Sequence, residues 1–525
     1  MTTYRNGGAA VVETLAAHGV DTVFGIPGTH NLEIYRQFPA TGIRAVTPRH
    51  EQGAGYAAEA YARVTGSPGV VVATSGPGLT NTMTAAATAY AESQPMLVLS
   101  SGMPTGAEGQ DLGQLHEAKN TTAAMGQLVR WSRRVQDANE AAAAVTDAFE
   151  SFAGGRARPV HVEIPVDVLE QQWSGQPRVA AKVTPPQADP DAVRRAAEVL
   201  AAAARPMIIV GGGAVDAQLE LTALAETLGA PVVTTVNGKG AVDEAHPLSV
   251  GASIRLRAAQ TAAADSDALL VVGTELGDSD LWEGRIRGRT VIRCDIDPAQ
   301  LNKNCPADHA LLGDAAATVA ALHAALPAGS PAAPEWAATL RAACREEAAK
   351  DAGLYAEINA AVRAALPAEA VLAGDSSQVT YFGSVHFFDV PRPRRFCYSP
   401  GFATLGYGLP AGLGAAIGRP GTPVTVLLGD GALMFSVQEL ITLVEQRLPV
   451  PVVVVDNGGY QEIKDQEAAR GIPPIGVELR TPDFAALAVA MGARGVRATS
   501  TGELTDMVGG ALDADGPTLI HFDIR

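Results

Sequence analysis

Residues Val424 to Tyr460, VTVLLGDGALMFSVQELITLVEQRLPVPVVVVDNGGY, decide how the rest of the chain is read. The run Val424 to Leu428, apolar except for Thr425, has the pattern of a strand buried on both faces in a parallel sheet. Gly429-Asp430-Gly431 closes it with a sharp turn whose bare backbone can approach a ligand. A helix is predicted over roughly Ser436 to Gln446, then a second apolar strand over Pro449 to Val455 that ends in Asp456-Asn457-Gly458-Gly459. This is a βαβ unit with a carboxylate and a carboxamide at the carboxyl ends of its two strands, the edge along which open α/β sheets bind ligands. One carboxylate, one amide oxygen and a bare glycine backbone form a hard oxygen set that suits Mg²⁺ when phosphate oxygens complete the shell. Gly-Asp-Gly alone is a common turn. Closing a strand, and followed one unit later by Asn-Gly-Gly, it becomes specific.

The remainder of the chain extends the same pattern. At 525 residues it exceeds what one core organises, so two to four domains are expected. With 47% hydrophobic and 18% charged residues the composition is that of a well-buried globular protein. A net charge of −17, from 39 basic and 56 acidic residues, makes nucleic acid and anionic membrane poor partners. An anionic ligand must then be held by a local metal or by backbone amides. Cys294, Cys305, Cys344 and Cys397 have no CxxC or metal-site spacing and read as reduced thiols. The N-terminus lacks a charged-then-apolar leader pattern, and no apolar run approaches the ~20 residues of a membrane span. A cytoplasmic protein is expected.

Strand and helix patterns alternate through three segments, which implies parallel, doubly wound sheets. In the first (1–170) the strands are DTVFGI, IRAVTP, VVVATSGPG, PMLVLSS and PVHVEIP, and EQGAGYAAEAYARVTG is a helix lined with small residues. A polar, Pro-containing linker leads to the second (191–328), with strands PMIIVGGG, PVVTTV, ALLVVG and TVIRCDID. Gly211-Gly212-Gly213 and Asp295 there would suit a dinucleotide. The G-x-G-x-x-G fingerprint is not met, so this segment is read as structural. LPAGSPAAPEW (326–336) marks the next boundary. The third (338–525) contains VLAGDSS, the opening unit and TLIHFDI. The fold class expected is α/β, with three Rossmann-like parallel-sheet domains.

The Gly-Asp-Gly and Asn-Gly-Gly pair resembles the metal–diphosphate motif of thiamine diphosphate-dependent 2-oxo acid decarboxylases and acetolactate synthases. The resemblance implies that Asp430 and Asn457 bind Mg²⁺ by side chain and Gly459 by its carbonyl. It names the three segments pyrimidine-binding, central and diphosphate-binding domains. The family commonly has Asn-Asn where this chain has Asp456-Asn457; the ligand position is the retained Asn. In Arg49-His50-Glu51-Gln52-Gly53-Ala54, Glu51 matches the carboxylate that activates the cofactor by bonding a pyrimidine ring nitrogen. GFATLGYGLPAGLGAA places Leu405 as the aliphatic wedge that bends the cofactor and the Ala403 carbonyl against its amine. Asp375, Ser376, Ser377 and Gln378, with Gly429, Gly431, Ala432 and Tyr460, are expected around the diphosphate, where helix-start N–H groups favour anions.

Gly25 to Asn31, with His30, and Ser75-Gly76-Pro77-Gly78 match loops that line the site in relatives. The adjacent His-His pair of yeast-type pyruvate decarboxylases is absent. Leu112 to Glu117 carries His116 where acetolactate synthases have Gln. This Leu-His-Glu form, and YQEIKDQEAARGIPPIGVEL (460–479), are similar to 5-guanidino-2-oxopentanoate decarboxylases and their acetolactate-synthase-like neighbours. His116, His30 and Glu462 are the candidates for orienting substrate and moving protons, beside Glu51. The resemblance implies a decarboxylase of a 2-oxo acid, with a carboligase of the acetolactate synthase type as the alternative. It also implies a homodimer or homotetramer with active sites shared between subunits. The small residues Gly53, Ala54, Gly55, Ala57 and Ala58 are expected to pack across that subunit interface.

Overall fold

A computed structural model describes residues 5–282, 284–327 and 334–525. Residues 328–333, within the tract read as the second boundary, and the first four residues lie outside them. The chain builds three six-stranded sheets in which every strand pairing is parallel.

The first sheet holds β1 (Thr22–Gly25), β2 (Arg44–Val46), β3 (Gly69–Ala73), β4 (Met96–Gly102), β5 (Ser132–Arg134) and β6 (Val160–Pro165), ordered β2-β1-β3-β4-β6-β5. The second holds β7 (Pro206–Val210), β8 (Val232–Thr234), β9 (Ser249–Gly251), β10 (Ala268–Val272), β11 (Val291–Asp295) and β12 (His309–Leu312), ordered β12-β11-β10-β7-β8-β9. The third holds β13 (Val371–Gly374), β14 (Phe396–Cys397), β15 (Val424–Gly429), β16 (Pro451–Asp456), β17 (Arg494–Ala498) and β18 (Thr518–Asp523), ordered β14-β13-β15-β16-β18-β17. Interior strands such as β3, β10, β15 and β16 are buried at every residue, because crossover helices cover both faces of a parallel sheet. That is why they read as largely apolar runs.

In each sheet successive strands are laid down on opposite sides of one strand, and the crevice at that switch point is where doubly wound sheets bind ligands. It falls between β1 and β3 in the first sheet, β10 and β7 in the second, and β13 and β15 in the third. In the second sheet the two loops at the crevice bond each other: the Gly211 N–H donates to the Val272 carbonyl and the Gly213 N–H to the Gly273 carbonyl, both at 2.9 Å. Asp295 is buried and accepts the N–H of Asp297 at 3.0 Å.

The chain forms two compact units. One combines the first sheet with Phe402–Gly421 and Ser436–Leu448; the other contains the second and third sheets. The helix predicted over 436–446 is shorter, Glu439–Glu445, and belongs to the first unit. There the helix Gly408–Gly418 lies against Glu51–Thr65 so closely that a Cβ at Gly414 would sit 2.0 Å from the Ala57 carbonyl oxygen. Gly55 likewise faces Ala85, and the Tyr407 hydroxyl donates to buried Glu59. The small residues expected at a subunit interface are thus used in packing within the chain. The four cysteines are buried, and none forms a disulfide among the described residues. No helix among the described residues is long and apolar enough to cross a membrane.

Candidate functional site

The expected site residues fall into two groups, one in each compact unit. In the unit with the third sheet, Asp375, Asp430 and Asn457 follow the carboxyl ends of the adjacent strands β13, β15 and β16. Asp430 begins the short helix Asp430–Leu433 and is 1% exposed, and its Oδ2 has no hydrogen-bond partner. Burial, with the Asp456 carboxylate second, pushes its pKa up to about 6 against the pull of the Gly431 and Asn457 backbone N–H groups. The Asn457 amide oxygen faces acceptors alone; rotating the amide would let its nitrogen donate to Asp430 Oδ1 and the Gly459 carbonyl, both at 3.1 Å. Three oxygens therefore converge on one point beside an unpartnered carboxylate oxygen. That is a donor set for a hard divalent cation, and the amide can rotate when no cation is held. No group of three His, Cys, Asp or Glu side chains gathers as an alternative metal cluster among the described residues.

Gly459 has φ +141°, and a Cβ there would lie 2.2 Å from the Val477 carbonyl oxygen. Only glycine lets the chain pass Val477 while turning its own carbonyl to the site. Asp456, where the related pattern has Asn, is explained by its partners. Its carboxylate accepts from Gly458 N–H at 3.1 Å, Thr481 Oγ1 at 3.0 Å and His521 Nε2 at 3.0 Å, with Arg525 at 3.7 Å. The extra charge is held on the side of basic groups.

Around this point lie the other expected contacts. Asp375 is buried and its Oδ1 accepts the Ser376 N–H at 2.8 Å, while Ser377 Oγ accepts the Gly429 N–H at 3.2 Å. Ser376 Oγ is buried without a partner, the second orphaned oxygen beside the same strand ends. Gln378 precedes a π-helical turn, Val379–Ser384, of a kind frequent at functional sites. Glu462, in the first turn of the helix Gln461–Ala469, is engaged: it accepts from Tyr381 at 3.0 Å, Gln378 at 3.2 Å and Gln466 at 3.0 Å. Burial and the Glu462 carboxylate push the Tyr381 pKa up, so this hydroxyl remains a donor.

The unit with the first sheet gathers the other group. Glu51 is the first residue of the helix Glu51–Thr65, and its Oε2 accepts from Asn81 Nδ2 at 2.9 Å. Asn81, on the helix Pro77–Ala91, carries no sequence signal that marks it for this role. His30 follows β1 and Ser75 follows β3, which places both at the switch point of this sheet. His30 Nδ1 lies 2.6 Å from Ser75 Oγ, and His116 Nδ1 lies 3.4 Å from the same oxygen. The two rings meet edge to face at 5.4 Å. Two histidines far apart in sequence thus meet over one serine hydroxyl, carried there by two loops. Burial, then proximity of His116, lowers the His30 pKa. The His116 backbone, at φ +67°, packs on Gly76, where a Cβ would be 2.4 Å from the His116 carbonyl oxygen. Leu405 is half-buried, and Ala403 is exposed at φ +51°, a costly conformation for a residue with a side chain.

Comparison with known proteins places the chain in a family. Three family descriptions match in chain order: thiamine pyrophosphate enzyme, N-terminal TPP binding domain, over residues 5–124; central domain over 193–322; and C-terminal TPP binding domain over 375–522. The chain is 42% identical over 523 residues, 98% of its length and 93% of the relative's, to the probable 2-ketoarginine decarboxylase AruI of Pseudomonas aeruginosa. The chain belongs to the thiamine pyrophosphate enzymes. Acetolactate synthases are similar over 99% of this chain. The acetolactate synthase isozyme 2 large subunit of Escherichia coli is 34% identical over 537 residues, covering 99% of this chain and 95% of the relative. The acetolactate synthase large subunit of Parasynechococcus marenigrum is 34% identical over 546 residues, covering 99% and 88%.

Proposed function

We propose that this enzyme is a thiamine diphosphate- and Mg²⁺-dependent decarboxylase of a 2-oxo acid, working without oxidation. The substrate to try first is 5-guanidino-2-oxopentanoate, the compound also called 2-ketoarginine. The observation that carries the reading is the convergence of Asp430, Asn457 and the Gly459 carbonyl beside an orphaned carboxylate oxygen. The choice of decarboxylation is supported by the 42% identity to a probable 2-ketoarginine decarboxylase and by the family resemblance of Leu115-His116-Glu117 and of the stretch from Tyr460 to Lys464.

In this reading Asp430 and Asn457 hold Mg²⁺ by side chain and Gly459 by its carbonyl. Gly429, Gly431, Ala432, Asp375, Ser376, Ser377, Gln378 and Tyr460 receive the diphosphate. The Ala403 carbonyl, Leu405 and Gly76 fix the rings. When bound, the cofactor supplies a nucleophilic thiazolium carbon and a sink for the electrons that CO₂ leaves behind. Glu51 holds a proton at the pyrimidine nitrogen, kept in place by Asn81. His30 and His116, sharing the Ser75 hydroxyl, orient the substrate carboxylate and move protons. Glu462, tethered by Tyr381, Gln378 and Gln466, serves through that network.

We also infer domains at 1–170 (pyrimidine-binding), 191–328 (central) and 338–525 (diphosphate-binding), and a cytoplasmic location. The same reading makes the protein a homodimer or homotetramer with sites shared between subunits. The second reading, a carboligase of the acetolactate synthase type, is favoured by the 34% identity to acetolactate synthases over the full chain. Mass-spectrometric product identification from a panel of 2-oxo acids, with thiamine diphosphate and Mg²⁺ supplied, separates the two. CO₂ with the aldehyde one carbon shorter supports the first, acetohydroxy acids support the second, and no turnover of any 2-oxo acid refutes both.

A further inference from the structure

Glu439 lies fully buried at the start of the helix Glu439–Glu445, and no Lys or Arg side chain pairs with it among the described residues. Its carboxylate is taken up by backbone. Oε1 and Oε2 accept the Arg49 N–H at 3.1 and 3.0 Å, and Oε2 also accepts the Thr442 hydroxyl at 2.7 Å. The His50 N–H is a further donor to it. The Arg49 guanidinium turns away, to Glu445 and the Thr47 carbonyl. Arg49 and His50 form the turn into the helix Glu51–Thr65, where N–H groups lack partners within the helix. The approach is possible because residue 53 is glycine: a Cβ there would lie 2.5 Å from Glu439 Oε1.

A buried anion supplied from 390 residues along the chain thus holds the two backbone groups immediately before Glu51. Capping this turn needs no charge so deeply buried, since a surface Ser or Asp accepts such N–H groups at less desolvation cost. What a bidentate, fully enclosed carboxylate adds is a fixed position. We propose that Glu439 is a positioning residue for Glu51, fixing the entry turn of its helix so that the Glu51 carboxylate meets the pyrimidine nitrogen. The inference rests on the reading of Glu51 as the activating carboxylate.

Three variants test it: Glu439→Gln, which has one acceptor oxygen in place of two; Gly53→Ala, which keeps the carboxylate but crowds it aside; and Glu51→Gln as the reference. The readout is exchange of the thiazolium proton in saturated holoenzyme, followed by NMR after acid quench, with kcat and KM measured alongside. Glu439→Gln and Gly53→Ala are each expected to slow exchange by at least fivefold, about 1 kcal/mol, and to lower kcat while leaving KM unchanged. In the cofactor-free protein, amide hydrogen exchange at Arg49 and His50 should accelerate in Glu439→Gln. If Glu51→Gln slows the thiazolium proton but both other variants exchange it within fivefold of wild type, Glu439 only stabilises the fold and the proposal is overturned. If Glu51→Gln also exchanges at the wild-type rate, the reading of Glu51 fails and the proposal falls with it. Should Glu439→Gln not fold, Gly53→Ala decides alone.

Discussion

Asp430→Asn should make the metal-free protein more stable while abolishing its cofactor chemistry. The carboxylate is enclosed, one oxygen is orphaned, and its pKa rises from 3.8 to about 6. That is about two units, or roughly 3 kcal/mol of unfavourable charge burial at about 1.4 kcal/mol per unit. Because the folded pKa is raised, the folded state binds the proton more tightly than the unfolded chain. The associated stability is complete below about pH 4 and is lost as the pH rises through about 6. Asparagine carries no charge and escapes that loss. In EDTA at about pH 7.5 the variant should exceed wild type by up to about 3 kcal/mol, with the advantage fading towards zero near pH 4. At about 2–4 °C per kcal/mol for domains of 150–250 residues, the unfolding midpoint should rise by several degrees. Calorimetry should show Mg²⁺-dependent thiamine diphosphate affinity reduced on the order of 100-fold or more, since a charged ligand is gone. In wild type the same affinity should weaken as the pH falls through about 6, where the proton competes with the metal. A variant no more stable than wild type at neutral pH, or one that binds cofactor normally, would refute the assignment.

Mixing inactive Glu51→Gln chains with inactive Asp430→Asn chains should restore partial activity after subunit exchange, because one site of each mixed pair escapes both changes; verified exchange with no activity would rule out shared sites. Gly459→Ala, which forces a Cβ against the Val477 carbonyl at a φ that side chains avoid, should cost several kcal/mol locally and lose Mg²⁺-dependent binding. Unchanged metal affinity by calorimetry would remove the Gly459 carbonyl from the ligand set.

What could be read from the chain, and what could not, divides along physical lines. Every interior strand of the three sheets could be read, because burial on both faces favours apolar runs, although β6, β11 and β18 also bury His161, Glu163, Arg293 and His521. The strands that escaped notice, β5, β9, β12, β14 and β17, are all edges. An edge strand has one neighbour and accommodates polar sequence: β5 is Ser-Arg-Arg and β17 is Arg-Gly-Val-Arg-Ala. The proximity of Asp430 and Asn457, the proposed metal ligands, was legible because they follow adjacent strands of one βαβ unit, so local spacing encodes it. Asn81, which holds Glu51, and Glu439, which holds the turn before it, were not, since each reaches its partner only through the fold. The same holds for His30 and His116, whose meeting over Ser75 depends on two loops returning to one switch point. Asp456 looked like a departure until His521, Thr481 and Arg525 were found against it.

The polar edges have a consequence for how such a chain assembles at all. Three similar parallel sheets emerge in succession, and until each is finished its border presents free N–H and C=O groups to any other strand nearby, in the same chain or the next. A sheet that zipped onto the wrong border would keep good hydrogen bonds and so be slow to correct. Arg44 on β2, Arg133 and Arg134 on β5, and Arg494 and Arg497 on β17 put guanidinium groups on those borders. Arg133 pairs with Asp147, Arg134 with Glu108 and Glu163, and Arg497 with Asp483, so joining two such borders would have to break or bury these ion pairs. On β5 and β17 the arginines that hide the strand from a reader of the sequence also guard it against the wrong neighbour.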